Sequence, residues 1–353
     1  MRFVPGRELS RLLYLEHIAP IMESTYPDLL YGAASYGMCS ESLGLDDEVS
    51  MDHMWGPRVT IFLSEMDHEK LSKEIQSTFR ELLPDEFKGF KTTWMKPGVD
   101  VISTKEKILY SVWTTTVNSA LGFCGGIDAL PLQYADWLKV SEQHLLEFTN
   151  GVVFRDDLGE LANARELLHY YPNDVLKFLL TCEWNAVGGD MYPIGRIGSR
   201  GDRLGLHVQA GKIVHHLMRI AFMVHRKYMP YKKWFGTLFN KLPVAHILEP
   251  IMMDILHEAH WQKIEEKICE ASEILLKLQN NLGLAPKIAL NAQIVDDERH
   301  HMNVDFWSIG RKLSANLQPP LKTILDNQVF WLHERSLILW NGEVGKWSML
   351  LQK

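Results

Sequence analysis

The apolar residues change their period partway along the chain. Up to about residue 121 short strand-like runs alternate with helix-like ones. Glu8 to Tyr26 sets Leu12, Leu15, Ile18, Ala19 and Met22 at helical spacing. Leu29 to Tyr36 is a short apolar run between Pro27 and Gly37, and Val59 to Leu63 is β-branched and aromatic, so both read as strands. His68 to Leu83 reads as a helix stopped by Pro84, and Gly98 to Thr104 (GVDVIST) alternates as a strand does. Past about Pro131 the strand signals fade and long helical patterns take over, broken by Gly and Pro. They cover Glu142 to Thr149, Glu160 to Tyr170, Asp174 to Trp184, Leu206 to Tyr228, Ile247 to Ala259 and His260 to Leu282. The last places Trp261, Ile264, Ile268, Ala271, Leu275, Leu278 and Leu282 on one stripe, as expected for packing inside a helical bundle. The order predicts an α+β chain: a mixed sheet with helices over residues 1–130, then a mostly helical domain over 131–353.

Size agrees with two domains, because single cores stop growing near roughly 250–300 residues and this chain has 353. With 46% hydrophobic residues, a core needs neither disulfide nor structural metal. The net charge of −7 excludes bulk attraction to nucleic acid. Cys39, Cys124, Cys182 and Cys269 are widely spaced and form no CxxC pair, which favours reduced thiols and a cytoplasmic location. Charged residues interrupt the first 26 positions, so no signal peptide is read there, and no apolar run is long enough to cross a membrane.

Chemistry concentrates in Tyr36 to Leu63, YGMCSESLGLDDEVSMDHMWGPRVTIFL. A strand ends at Gly37 and a Ser- and Gly-containing turn follows. An acidic loop, Asp46-Asp47-Glu48, comes next, most simply solvated, and Asp52-His53-Met54-Trp55 leads into a second strand. Phosphoryl transfer on such a frame needs a glycine turn that lets backbone N–H groups approach phosphates. It also needs carboxylates alternating along the next strand, so that they share one face and bridge Mg²⁺.

With these residues the chain resembles the DNA polymerase β-like nucleotidyltransferase superfamily, and within it the domain-of-unknown-function 4037 family. The resemblance is carried by Leu43-Gly44-Leu45-Asp46 and by Ser50-Met51-Asp52-His53-Met54-Trp55-Gly56-Pro57-Arg58. It continues through Asp136-Trp137-Leu138, Thr149-Asn150-Gly151-Val152-Val153-Phe154 and Tyr228 to Trp234. It implies a site in which Gly37, Met38 and Ser40 cradle the phosphates of an NTP, while Asp52 and Asp100 hold Mg²⁺ and serve catalysis. The implied activity moves a nucleoside monophosphate from the NTP to a hydroxyl acceptor, which the sequence does not identify. Two positions depart from the pattern. Met38 stands where the superfamily has Ser or Gly, and Met54 replaces the second carboxylate of the pair. A thioether is a poor Mg²⁺ ligand, which argues against full activity. The alternative is a degenerate descendant that binds a nucleotide or another ligand without turnover.

The helical half adds Arg196, Arg200 and Arg203 among glycines before the Leu206 helix, a pattern that suits a polyphosphate as well as an ordinary charged loop. Lys233, in the Tyr228 to Trp234 motif, is the second cation expected at the nucleotide, although that motif equally suits a packed corner. Lys212, His216 and Arg219 share a helix face, read as the solvent side. The histidine spacings fit no zinc motif.

Overall fold

A computed structural model describes residues 3–37, 40–51, 55–92, 111–290, 292–294 and 302–326. The chain divides into two compact units, one of Met1–Pro131 with His144–His169, the other of Leu132–Gln143 with Tyr170–Lys353.

The first unit opens with α1 (Gly6–Leu13), which runs through a π-turn at Tyr14–Ile18 into α2 (Ala19–Thr25). Then come β1 (Gly32–Ala34), the short α3 (Ser40–Leu43), β2 (Val59–Phe62) and α4 (Glu65–Leu82). A small hairpin of β3 (Glu86–Phe87) and β4 (Phe90–Lys91) precedes β5 (Val112–Thr115) and α5 (Val117–Gly125). The sheet has the order β5-β2-β1-β6. β1 is antiparallel to β2, with Ala34 opposite Thr60, and β2 is parallel to β5, with Thr60 opposite Trp113. The fourth strand arrives late. After α6 (Tyr134–Trp137) and α7 (Glu142–Asn150), β6 (Val153–Asp156) returns to pair antiparallel with β1, and α8 (Glu160–Leu167) follows. A single cut at residue 130 does not anticipate that return.

One face of the sheet carries Ala33, Val59, Ile61 and Val112 into a core with Leu9, Leu13, Ile18, Ile75 and Phe79, all at most 2% exposed. The helices bounding that core are built by local signals. Ser64 accepts from Asp67 N at the start of α4, and Thr116 from Ser119 N at the start of α5.

The second unit is built on α9 (Asn173–Met191), α11 (Arg203–Val224) and α14 (Trp261–Asn281), with α10 (Ile194–Gly198), α12 (Lys232–Phe239) and α13 (Ala245–His257) between them. A two-stranded piece, β7 (Ala292–Ile294) with β8 (Met302–Val304), precedes α15 (Phe306–Ser314) and α16 (Leu321–Asp326). Trp184 is fully buried, stacks on Phe306 and donates its Nε1–H to Gln279 at 2.6 Å. α15 lies close on α9 through small residues, since a Cβ at Gly188 would sit 3.0 Å from Phe306 Cβ. The α14 stripe packs inward, with Ile264, Ile268, Ala271 and Leu275 at 0% exposure.

Candidate functional site

At the exit of β1 the chain passes Gly37 and then enters the short α3. Gly37 has φ +143°, a backbone region open to glycine, and among the described residues nothing lies within 4 Å of where its Cβ would be. α3 begins three residues later with Ser40, which is buried. Met38, Asp52, Met54 and Asp100 lie outside the described residues, as does the segment 98–104. The strand that pairs with β2 on the side away from β1 is Val112–Thr115, a stretch the periodicity left unassigned.

Around this turn the described motif residues make a fixed collar. Asp46 accepts from Gly6 N at 2.6 Å and from Trp55 Nε1 at 2.9 Å. A Cβ at Gly6 would meet Glu41 Cβ at 2.6 Å, so the glycine is what lets α1 come this close. Glu41 is 3% exposed and paired with Arg58; burial raises its pKa, and Arg58 opposes that. Arg7 donates to the carbonyls of Ser42 and Asn150, the latter at 2.7 Å, and Asn150 Nδ2 donates to Leu43 O at 3.3 Å. Gly44, at φ +66°, makes room for that arginine, because a Cβ there would lie 2.8 Å from Arg7 Nη1.

The acidic loop is therefore more than a solvated one. Asp46 braces the collar, and exposed Asp47 accepts from Val49 N, Ser50 N and Ser50 Oγ at 3.1, 2.8 and 2.7 Å. Arg7, Glu41 and Asn150 were missed as candidates.

In the second unit, Arg196 and Lys233 are both exposed and both lie on aromatic rings. The Arg196 guanidinium is 4.1 Å from the Tyr192 ring centre and donates to its hydroxyl. Lys233 Nζ is 4.8 Å from the Trp234 ring centre. The Arg/Gly loop does not leave a bare helix start, since Asp202 caps α11 by accepting from Gly205 N at 2.8 Å. Tyr228 packs against Tyr170 and Tyr171, with ring centres 5.0 and 5.2 Å away, and Tyr231 N donates to Gln143 at 2.8 Å, so this motif forms a packed corner.

The face carrying His216 and Arg219 is not the solvent side. They are 5% and 4% exposed, whereas Lys212 is exposed. Glu183 on α9 accepts from Arg219 Nε at 2.6 Å and pairs with His216 Nδ1 at 2.8 Å. Arg219 Nη2 lies 3.6 Å from Glu142, and His216 Nε2 lies 3.4 Å from Asp190, which also accepts from Gln209. Burial disfavours charge at Glu183, Asp190, His216 and Arg219, but the pairing outweighs it. The His216 pKa rises to about 9 through Asp190 and Glu183, and that of Glu183 falls to about 2 through Arg219 and His216. Glu183, Asp190, His216 and Arg219 therefore favour their charged forms, a largely buried ion network.

Glu265 on α14 is the opposite case. It is 3% exposed, and burial lifts its pKa to about 7 although Met302 N and Gly195 N donate to it.

Among the described residues no group of three His, Cys, Asp or Glu side chains converges as a cation site requires, and no helix is long and apolar enough to cross a membrane. β1, β2 and β5 carry no carboxylate. A family model described as domain of unknown function (DUF4037) matches residues 137–235, and this is the family the motifs resemble. That segment holds Glu142, Glu183, Asp190, His216 and Arg219. No curated protein matches the chain. The chain is similar to the crystal structure of a nucleotidyltransferase-like protein from Exiguobacterium sibiricum 255-15. The two are 10% identical over 88% of each, with a TM-score of 0.34, a likeness too remote to speak for this chain's chemistry.

Proposed function

We propose that this chain is a nucleotidyltransferase-like protein whose α/β unit binds an NTP at the Gly37 to Ser40 turn. The observation that carries the reading is the exit of β1: a glycine at φ +143° with open space beside it, a helix starting at Ser40, and an antiparallel β2 reached through Trp55-Gly56-Pro57-Arg58. The collar of Arg7, Glu41, Asp46, Asn150 and Arg58 gives that turn a rigid base, as precise placement of phosphates demands. In the full form of the proposal, Met38 completes the phosphate cradle. Arg196 and Lys233 supply positive charge, and a nucleoside monophosphate passes to a hydroxyl acceptor in the cytosol.

Asp52 and Asp100 would hold Mg²⁺ in this reading. When bound there, the ion would polarise the transferred phosphate. Met54 in the place of a carboxylate favours a second reading, in which the nucleotide is held without turnover.

An NTP panel scored at once for thermal stabilisation and pyrophosphate release, with Mg²⁺, Mn²⁺ or chelator, tests both. Stabilisation that is lost in Gly37→Val supports the binding site. Pyrophosphate release that disappears in Asp52→Ala supports transfer, and stabilisation without release supports the second reading. No NTP-dependent shift under any metal condition refutes the proposal.

A further inference from the structure

Beside the exit of β1, two arginines hold hydrogen-bond donors that the protein does not use. Arg165 projects from α8, and its Nε is buried without a partner. Among the described residues Arg165 makes no hydrogen bond and no ion pair. The carboxylate acting on it, Asp156, accepts from Ala162 N at 2.8 Å and Leu161 N at 3.4 Å at the start of α8. Arg7 repeats the pattern. Its Nη2 is spent on carbonyls, its Nε is buried and unpartnered, and one oxygen of Asp46 beside it accepts from both Gly6 N and Trp55 Nε1. The two guanidinium groups meet adjacent residues: Arg7 Nη2 donates to Asn150 O at 2.7 Å, and Arg165 Nη2 lies 3.3 Å from where a Cβ at Gly151 would be. Burial lowers the pKa of both.

A folded protein rarely leaves a buried N–H donor unmet, because the group gives up its hydrogen bond to water and gains none in return. The chain also goes out of its way to make this corner. A Cβ at Gly151 would lie 2.1 Å from Ser35 O and 3.3 Å from Arg165 Nη2, so only glycine lets β1 and this guanidinium approach from two sides. Ser35 is two residues from Gly37, which puts the corner at the same end of β1 as the proposed nucleotide turn. Arg165 is only partly buried. Two guanidinium forks, each keeping a buried Nε–H unmet, match an anion with several acceptor oxygens.

We propose that Arg165 and Arg7 form a binding site for a phosphate-type oxyanion, either free phosphate or pyrophosphate or the terminal phosphate of a nucleotide. The nucleotide form rests on the function proposed above; the free-anion form does not.

The experiment follows melting of the full chain against inorganic phosphate, pyrophosphate and ATP, at constant ionic strength set with chloride. Phosphate or pyrophosphate is expected to stabilise the wild type where chloride does not. Arg165→Met is expected to weaken that effect at least ten-fold while melting no lower than wild type without phosphate. Arg165→Lys keeps the charge but gives up the fork, and serves if Arg165→Met folds poorly; it too is expected to lose about ten-fold. Loss of the ATP shift along with the phosphate shift identifies the nucleotide's own phosphates as the ligand. Loss of the phosphate shift alone identifies a free anion. An undiminished phosphate effect in both variants, or no anion-specific effect in the wild type, overturns the site whatever ATP does. Phosphate binding without any NTP binding would sink the nucleotide reading and leave this site standing.

Discussion

Arg219 in the helical unit and Arg165 in the α/β unit are both helical arginines drawn away from water, and their surroundings differ in kind. Arg219 meets Glu183 at 2.6 Å and Glu142 at 3.6 Å, and the second face of Glu183 is taken by His216. Arg165 has Arg7 for a neighbour and a carboxylate already engaged by α8. Burial depresses the pKa of both guanidinium groups. In Arg219 the paired carboxylates more than reverse that, and in Arg165 nothing does. Burial alone therefore does not separate a structural arginine from a ligand-seeking one; the state of the neighbouring acceptors does.

The comparison breaks most decisively at Glu183. Glu183→Ala leaves Arg219 and His216 buried with their main acceptor gone, and denaturant melts of the helical unit are expected to lose about 3–5 kcal/mol. If that variant and Arg165→Met shift the melts equally, the contrast fails.

Next is pH. His216 is held protonated in the fold, with a pKa raised from 6.5 to about 9, so its contribution is complete below pH 6.5 and fades as pH rises through 9. Linkage makes this roughly 3 kcal/mol, read by calorimetry between pH 6.5 and 10, and His216→Gln should flatten the slope. Glu265 bends the curve in the same direction but lower, since its pKa is raised to about 7. Its contribution fades from about pH 5 up through 7, and Glu265→Gln should remove that part alone. On the acid side Glu183, with its pKa lowered to about 2, loses its contribution as pH falls below about 4.5.

Gly151→Ala is expected to cost about 1–3 kcal/mol by pushing β1 from the Arg165 corner, and to weaken phosphate binding with it. A variant as stable as wild type would show that the corner tolerates spreading. The smallest effect is at the start of α11, where Asp202→Ala should cost about 1 kcal/mol of thermal stability and no phosphate affinity.

The sequence revealed what depends on local pattern. The α+β class, β1 within Leu29 to Tyr36, β2 within Val59 to Leu63 and the inward stripe of α14 all follow from periodicity. What escaped was set by distant partners. β6, Val153-Phe154-Arg155-Asp156, is half charged, and its strand character comes from pairing with β1, more than a hundred residues earlier. α14 buries a second row, Glu265, Cys269, Ser272 and Gln279, which reads as polar and is buried all the same; Gln279, for one, accepts from Trp184. His216 and Arg219 looked solvent-facing for the same reason, since Glu183 lies over thirty positions away. Of the candidate site, Gly37 and Ser40 were legible as a turn, while the arginines beside it were not, because nothing local marks an arginine left without an acceptor.

The late arrival of β6 has a consequence for how the protein is made. A polypeptide released after residue 130 would end with the N–H and C=O groups along one side of β1 unpaired, a surface that invites association with other chains. During synthesis the same edge stays open until Asp156 has left the ribosome, so the α/β layer closes only when the first helices after Pro131 have already emerged. A fragment meant to carry the α/β unit by itself has to run to about residue 169.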